Sequence, residues 1–511
     1  MIPLPDEIWL QIFFHFEDFL PKHKWWMYDY QGDKSSRKTL ISISLVSRHF
    51  HRVAQPLIYR TVLLRERDHN KDWNKEQLTR TLATSPELGF NTRTIRVDEC
   101  TARMTHGFIS MLQALLSSLD LPTAMQRHME IALEKSRISC NFDIDFGVDI
   151  FILALMPRVR LVDFTYYNSK ALIWMMSGRT DVHYQLVRNS DDEGLHEEEE
   201  RVIGGFRSDE ARLTGSQDLS RSSFANYGLP HLEEIRLRAA EWKYESIPIH
   251  DIEAALLHAN LKTLRLLGSS WLNRSLKLLK WPGEPCGVQF LELRESLVEA
   301  SSLRHILTRF KSLRTLIIHM TDGRRYEDED QWDLNLDEFG AILRELGQDL
   351  VELSLHTNNF QNYPIGTGEY EGYLGSLVEL RSLRHLSVVI EHLVDDILQR
   401  EDREEVPTLA EVLPPSLETL HLHHDGKYKR NEVLYRHRCD FVNSAVRKLL
   451  EQGRMPNLRQ VSMERSYKKT LQGEFDGQVA GWDLTVENVD MWLKYGTSGC
   501  RRTMVTFTRR G

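Results

Sequence analysis

Cysteine is scarce in this chain. Five stand in 511 residues, at positions 100, 140, 286, 439 and 500, and none forms a C-x-x-C pair. An odd, scattered set builds neither a disulfide framework nor a cysteine zinc site, and it suits a reducing compartment. Positive charge is short as well: 65 Lys+Arg against 74 Asp+Glu leave a net charge of −9. That excludes the chain-wide basic footprint of a nucleic-acid binder. Long apolar runs are missing. The longest clear one, Ile150 to Met156, falls far below the roughly 20 residues a membrane helix needs. Asp6 and Glu7 stand where a signal peptide would carry positive charge. These absences lead to the expectation of a soluble protein of the cytoplasm, the nucleus or both, engaging neither membrane nor nucleic acid. Asn273-Arg274-Ser275 matches a glycosylation pattern, which has no meaning in such a compartment. No G-x-x-x-x-G-K-[ST], G-x-S-x-G, H-E-x-x-H or G-x-G-x-x-G occurs. The chain is therefore expected to be non-catalytic and without a cofactor.

What is present is apolar enough to fold: 41% hydrophobic and 27% charged residues. The first sixty residues read as three short helices. Pro5 suits a first helical position, and Asp6 and Glu7 follow where the helix dipole favours negative charge. Ile8, Ile12 and Phe16 recur every fourth residue, with Phe13 beside them, which makes one apolar face. Leu40, Ile43 and Val46 trace a second helix. Ser47 is placed to cap a third, which carries Phe50, Val53 and Ala54 and is expected to close at Pro56. Three such helices bury little by themselves, so a partner is expected to complete them.

Leu4-Pro5-Asp6-Glu7-Ile8, then Ile12-Phe13, then Leu45-Val46-Ser47-Arg48-x-Phe50 resembles an F-box, and Val53 to Arg60 is similar to the form common in filamentous fungi. The resemblance covers residues 3–60. It implies docking to a Skp-type adaptor, and through it to a cullin, by Leu4, Pro5, Ile8, Ile12, Phe13, Leu45, Val46 and Phe50. It also implies the role of substrate receptor in a ubiquitin ligase. One feature departs from the family: Glu17 to Lys38 separate the first two helices, with Trp25, Trp26, Met27, Tyr28 and Tyr30 among them. Exposed adjacent tryptophans are costly, so a loop pinned by its aromatics is expected there.

From residue 59 an apolar-x-x-apolar-x-apolar pattern recurs. It appears at Tyr59/Val62/Leu64, Val159/Val162/Phe164, Leu232/Ile235/Leu237, Leu261/Leu264/Leu266 and Val288/Leu291/Leu293. It continues at Leu313/Leu316/Ile318, Leu350/Leu353/Leu355, Leu383/Leu386/Val388, Leu417/Leu420/Leu422 and Leu458/Val461/Met463, with Thr92/Ile95/Val97 a weaker member. From Leu232 the intervals are 29, 27, 25, 37, 33, 34 and 41 residues. Helical stripes such as Leu303/Ile306/Leu307/Phe310 and Leu336/Phe339/Ile342/Leu343 lie between them. This is the pattern of a leucine-rich repeat, one strand and one helix per turn of a solenoid. The expected fold class is α/β: an N-terminal three-helix unit over 1–60, then an irregular leucine-rich-repeat horseshoe over 61–511. Trp482 to Tyr495 reads as a terminal capping helix. A charged stretch near 178–226 is expected to be disordered, and 321–330 and 358–373 read as loops.

Strand alternation sends the residues between the apolar ones to the concave surface. Arg236, Arg238, Arg265 and Arg294 fall there, and they suit a carboxylate-rich or phosphorylated peptide of a target protein. Glu234 and Glu292 fall close enough to pair with them instead. His421 and His423 share one strand face but make only half a metal site, and no third ligand can be named from sequence, so no metal is expected. The remaining readings are a scaffold that uses the same modules without ubiquitin transfer, and a hydrolase with an unrecognised site.

Overall fold

The computed structural model describes residues 4–17, 20, 25, 34–64, 73–97, 105–119, 126, 129–130, 133, 145–165, 229–239, 246–256, 258–277, 279, 286–320, 334–356, 372–394, 407–423, 432–466, 479–491 and 500–510. The acidic stretch 178–226, the loop 321–330 and residues 358–371 lie outside them.

The chain opens with helices α1 (Asp6–Phe14), α2 (Lys34–Ser44) and α3 (Arg48–Ile58). Pro5 is the N-cap of α1 rather than its first helical residue; its carbonyl accepts from Ile8 and Trp9. Ser47 caps α3, its side chain accepting from the Phe50 N–H at 3.1 Å. Pro56 does not close α3. The helix runs on to Ile58, because in its last turn the missing proline N–H costs one hydrogen bond only. Phe13, Leu40, Val53, Ala54 and Leu57 form the core of this unit.

Two residues after α3 the sheet begins. Its strands are β1 (Thr61–Leu64), β2 (Thr94–Val97), β3 (Leu161–Thr165), β4 (Glu234–Arg238), β5 (Ile247–Pro248), β6 (Thr263–Leu267), β7 (Ser269–Trp271) and β8 (Phe290–Val298). They continue with β9 (Thr315–Met320), β10 (Glu352–His356), β11 (His385–Val389), β12 (Thr419–His423), β13 (Gln460–Ser466), β14 (Trp482–Met491) and β15 (Cys500–Arg509). The spatial order is β1-β2-β3-β4-β6-β8-β9-β10-β11-β12-β13-β15-β14, parallel as far as β13. The last two apolar residues of every repeated motif lie on one of these strands, and the first lies just before it. The register stacks like on like: Val62 on Ile95, Leu264 on Leu291, Leu353 on Leu386, Leu420 on Val461. These ladders point inward against helices such as Ala300–Arg309 and Leu336–Leu346, and one continuous apolar core runs from Val62 to Phe507. Each large aliphatic side chain so buried is worth about 1.5–3 kcal/mol.

β8 belongs to two ladders. Its first half pairs with β6 and β9, and Leu297 and Val298 pair with β7. The change of direction is a bulge at Glu295, whose φ is 46°.

The expected terminal helix is a strand. Over Trp482–Met491, β14 runs antiparallel to β15, which in turn pairs antiparallel with β13. Trp482, Leu484 and Val486 alternate with Asp483, Thr485 and Glu487, a period of two that the sparser 486/489 spacing disguised. The hairpin covers the edge that the last repeat would otherwise present. Trp492 to Tyr495 lie outside the described residues.

Candidate functional site

Two surfaces carry polar or unpartnered chemistry: the outside of the three-helix unit and the concave face of the sheet.

In the helical unit, the residues singled out from sequence divide into two groups. Phe13 is buried, and Phe50 stacks on it and on Trp9 at ring separations of 5.5 and 4.7 Å. These two therefore hold α1 to α3. Phe13 is thereby withdrawn from a partner, which corrects the expectation for it, whereas Phe50 keeps part of its surface. Pro5 is exposed. Leu4, Ile8, Ile12, Leu45 and Val46 stand in solvent, the last two at 80% and 69% exposure, and Leu10, Phe14 and Ile41 join them. Eight of the twelve exposed large apolar side chains among the described residues belong to this one unit. Isolated apolar residues on a surface are ordinary, but a concentration of this kind makes the unit a candidate interaction site.

Between α1 and α2, the described residues Glu17, Leu20 and Trp25 are buried. Glu17 pairs with Arg60 at 2.9 Å. Trp25 is fully buried, and its indole Nε1 donates to Glu292 Oε2 of β8 at 3.1 Å. Trp26, Met27, Tyr28 and Tyr30 lie outside the described residues.

On the concave face, register sets Arg96, Asp163, Arg236, Arg265 and Glu292 side by side on β2, β3, β4, β6 and β8. The expected open cationic column is instead a buried ion-pair network. Arg238 meets Asp163 at 2.8 Å with both side chains at 0% exposure, and Arg96 approaches the same carboxylate at 3.7 Å. Glu234 takes Arg236 at 2.7 Å and Arg265 at 3.0 Å. Glu292 bonds both Arg265 and Arg294. Arg265 also lies over the Phe290 ring at 4.3 Å. Arg236 and Arg238 are thus closed to a ligand. Arg265 and Arg294 keep some exposure, 12% and 20% of their side chains.

Further along, the same face turns to histidine. His319 on β9 accepts from Arg294 at 2.9 Å, which places that contact on Nδ1, and its Nε2 reaches Ser354 Oγ at 3.3 Å. Burial first, and then the Arg294 charge, hold the His319 imidazole well below its ordinary pKa of 6.5. It is neutral at pH 7. His356 stands 5.3 Å from His319 and 4.1 Å from His423, ring to ring, and His421 stands 4.5 Å from His423. His421 Nε2 and His423 Nδ1 both reach Glu464 Oε1 at 3.2 Å. His423 Nε2 meets Ser387 Oγ at 2.7 Å. Sequence paired only His421 with His423 as ligands; strand alternation also sends His319, His356 and Glu464 to the same concave face, but does not bring them together. The available signal was the repeat register, which carries His356 and Glu464 to equivalent ends of β10 and β13.

Residues 301–472 match the model of a leucine-rich repeat domain. No curated protein matches the chain. The matched region spans β9 to β13, and the strands before it continue the same sheet in the same register. Residues 301–472 are a leucine-rich repeat domain, a module that binds proteins.

Proposed function

We propose that this chain is the substrate-recognition subunit of an SCF-type ubiquitin ligase. In this reading α1–α3 dock a Skp-type adaptor, and through it a cullin, while the repeats hold a target protein. The observation that carries it is the exposed apolar set Leu4, Ile8, Ile12, Leu45 and Val46 on a unit whose own core is already closed by Phe13 and Phe50. The resemblance of residues 3–60 to an F-box supplies the partner. The chain contributes no catalytic residue. It raises the effective concentration of a target's lysines beside a transfer enzyme, which is rate enhancement by proximity. Target contact belongs on the open part of the concave face, at Arg265 and Arg294, where an acidic or phosphorylated segment would meet guanidiniums. The cytoplasm and nucleus are the compartments this role requires.

The test is affinity purification of the full chain from cells, wild type beside a Leu4→Ala, Pro5→Ala double variant. Adaptor and cullin are expected with the wild type and absent with the variant. Adaptor without cullin would select the scaffold reading. Neither partner with the wild type would overturn the proposal.

A further inference from the structure

The concave ends of β10, β12 and β13 bring together residues that are far apart in sequence. His356 and His423 lie on strands that flank β11, where Val389 stands across from His423, and the two imidazoles come within 4.1 Å. Glu464 lies on the next strand, one residue beyond the Leu422–Met463 register pair. One nitrogen of each histidine and one oxygen of Glu464 all lie within 4.8 Å of one another. We propose that His356, His423 and Glu464 bind one divalent transition-metal ion, Zn2+ in the first instance.

The donor set is two imidazoles and a carboxylate, the borderline nitrogen and oxygen ligands that Zn2+ favours. A tetrahedral ion with bonds of about 2.0–2.1 Å places its ligand atoms about 3.3 Å apart. His423 Nδ1 and Glu464 Oε1 already stand 3.2 Å apart. A His356 nitrogen lies within 4.8 Å of the other two donor groups, and ligation would draw it inward. The supporting contacts are those a metal ligand needs. Ser387 Oγ, 2.7 Å from His423 Nε2, fixes that ring so that Nδ1 turns to Glu464. His421 Nε2, 3.2 Å from Glu464 Oε1, is a positioning residue for the carboxylate. Side-chain exposure is 3% at Glu464 and 11% at His423. A carboxylate so buried is stable only when paired or bound to a cation. The ion would clamp three strands of the array across β11, a structural role that is independent of the proposed ubiquitin function.

The experiment uses the untagged full chain, dialysed against Zn2+, desalted, and analysed for metal by mass spectrometry. One ion per chain and a higher Tm than the metal-free chain are expected. Co2+ at one equivalent should give the intense visible bands of a four-coordinate ion. His356→Gln, His423→Gln and Glu464→Gln should each lose the stoichiometric ion, and Ser387→Ala should weaken affinity about 10–100-fold. His385→Gln, at the opposite end of β11 where His385 bonds Thr419, should leave binding unchanged. A wild-type chain that holds less than one ion and shows no four-coordinate Co2+ spectrum overturns the site, whether or not the variants fold. Retention of the ion by folded His356→Gln and Glu464→Gln chains overturns it equally.

Discussion

Asp163 shows how much a single residue settles in this fold. It sits at the middle of β3 with no exposure, and Arg96 and Arg238 from the two neighbouring strands both reach it. A surface pair of this kind would be worth about 0–1 kcal/mol. A buried one is different, because removing one partner strands the other charge away from water. Asp163→Asn keeps the shape and removes a carboxylate charge that both buried guanidiniums reach. Its expected cost is about 3–5 kcal/mol, read as a fall in the midpoint of urea unfolding. A change of no more than about 1 kcal/mol would mean that the cluster is solvated. Arginine at positions 236, 238, 265 and 294 was legible from strand alternation, and so was the pairing of Arg236, Arg265 and Arg294 with Glu234 and Glu292; the Arg238–Asp163 pair was not. Burial was not legible, because it depends on residues brought in from elsewhere, Trp25 among them.

At the scale of elements, the repeat motif was legible because it is imposed by the sheet itself. A strand with three apolar positions at fixed offsets can stack only in one register, and a one-residue slip would send its leucines to the concave side. The helices packed behind are held by finer fits. Gly340, inside the helix Leu336–Leu346, faces the carbonyl oxygen of Leu374, and a Cβ there would collide with that backbone. The same carbonyl accepts from Arg344 at 2.6 Å, so it is not free to retreat. Gly340→Ala therefore gains helix propensity yet should destabilise the chain by about 1–3 kcal/mol, measured by thermal or chemical unfolding. A stabilised variant would show that the helix can shift outward. Gly89 repeats the arrangement against Leu155. The terminal hairpin was misread from sequence. Val486 and Val489 fit a helical step, whereas the alternation from Trp482 to Glu487 and the threonine-rich partner strand Cys500–Arg509 fit a sheet edge. The histidine cluster was half legible. His421 and His423 announce themselves as neighbours, while Glu464 lies 41 residues beyond His423 and meets it only through the pairing of β12 with β13.

At the scale of the molecule, the N-terminal unit and the repeats are coupled by short connections. α3 runs into β1 with two residues between them, the Arg60 carbonyl accepts from Arg93 and Thr94 at the start of β2, and Trp25 reaches across to Glu292. A partner held on α1–α3 would thus be carried at a fixed place relative to the concave face, which is what a receptor that presents a target requires. The proposed function makes the exposed apolar residues of this unit a docking face for a Skp-type adaptor. Leu45 and Val46 are its most exposed members and contribute little to the unit's own core, so Leu45→Asp with Val46→Asp should leave folding and Tm unchanged. The decisive measurement is calorimetric titration of purified Skp-type adaptor into the purified full chain. The wild type is expected to bind one adaptor, and the double variant to bind at least about 100-fold more weakly, the loss of roughly 2.7 kcal/mol that hot-spot side chains at an interface commonly carry. Equal binding by both chains, or no binding by the wild type, would rule out that docking face.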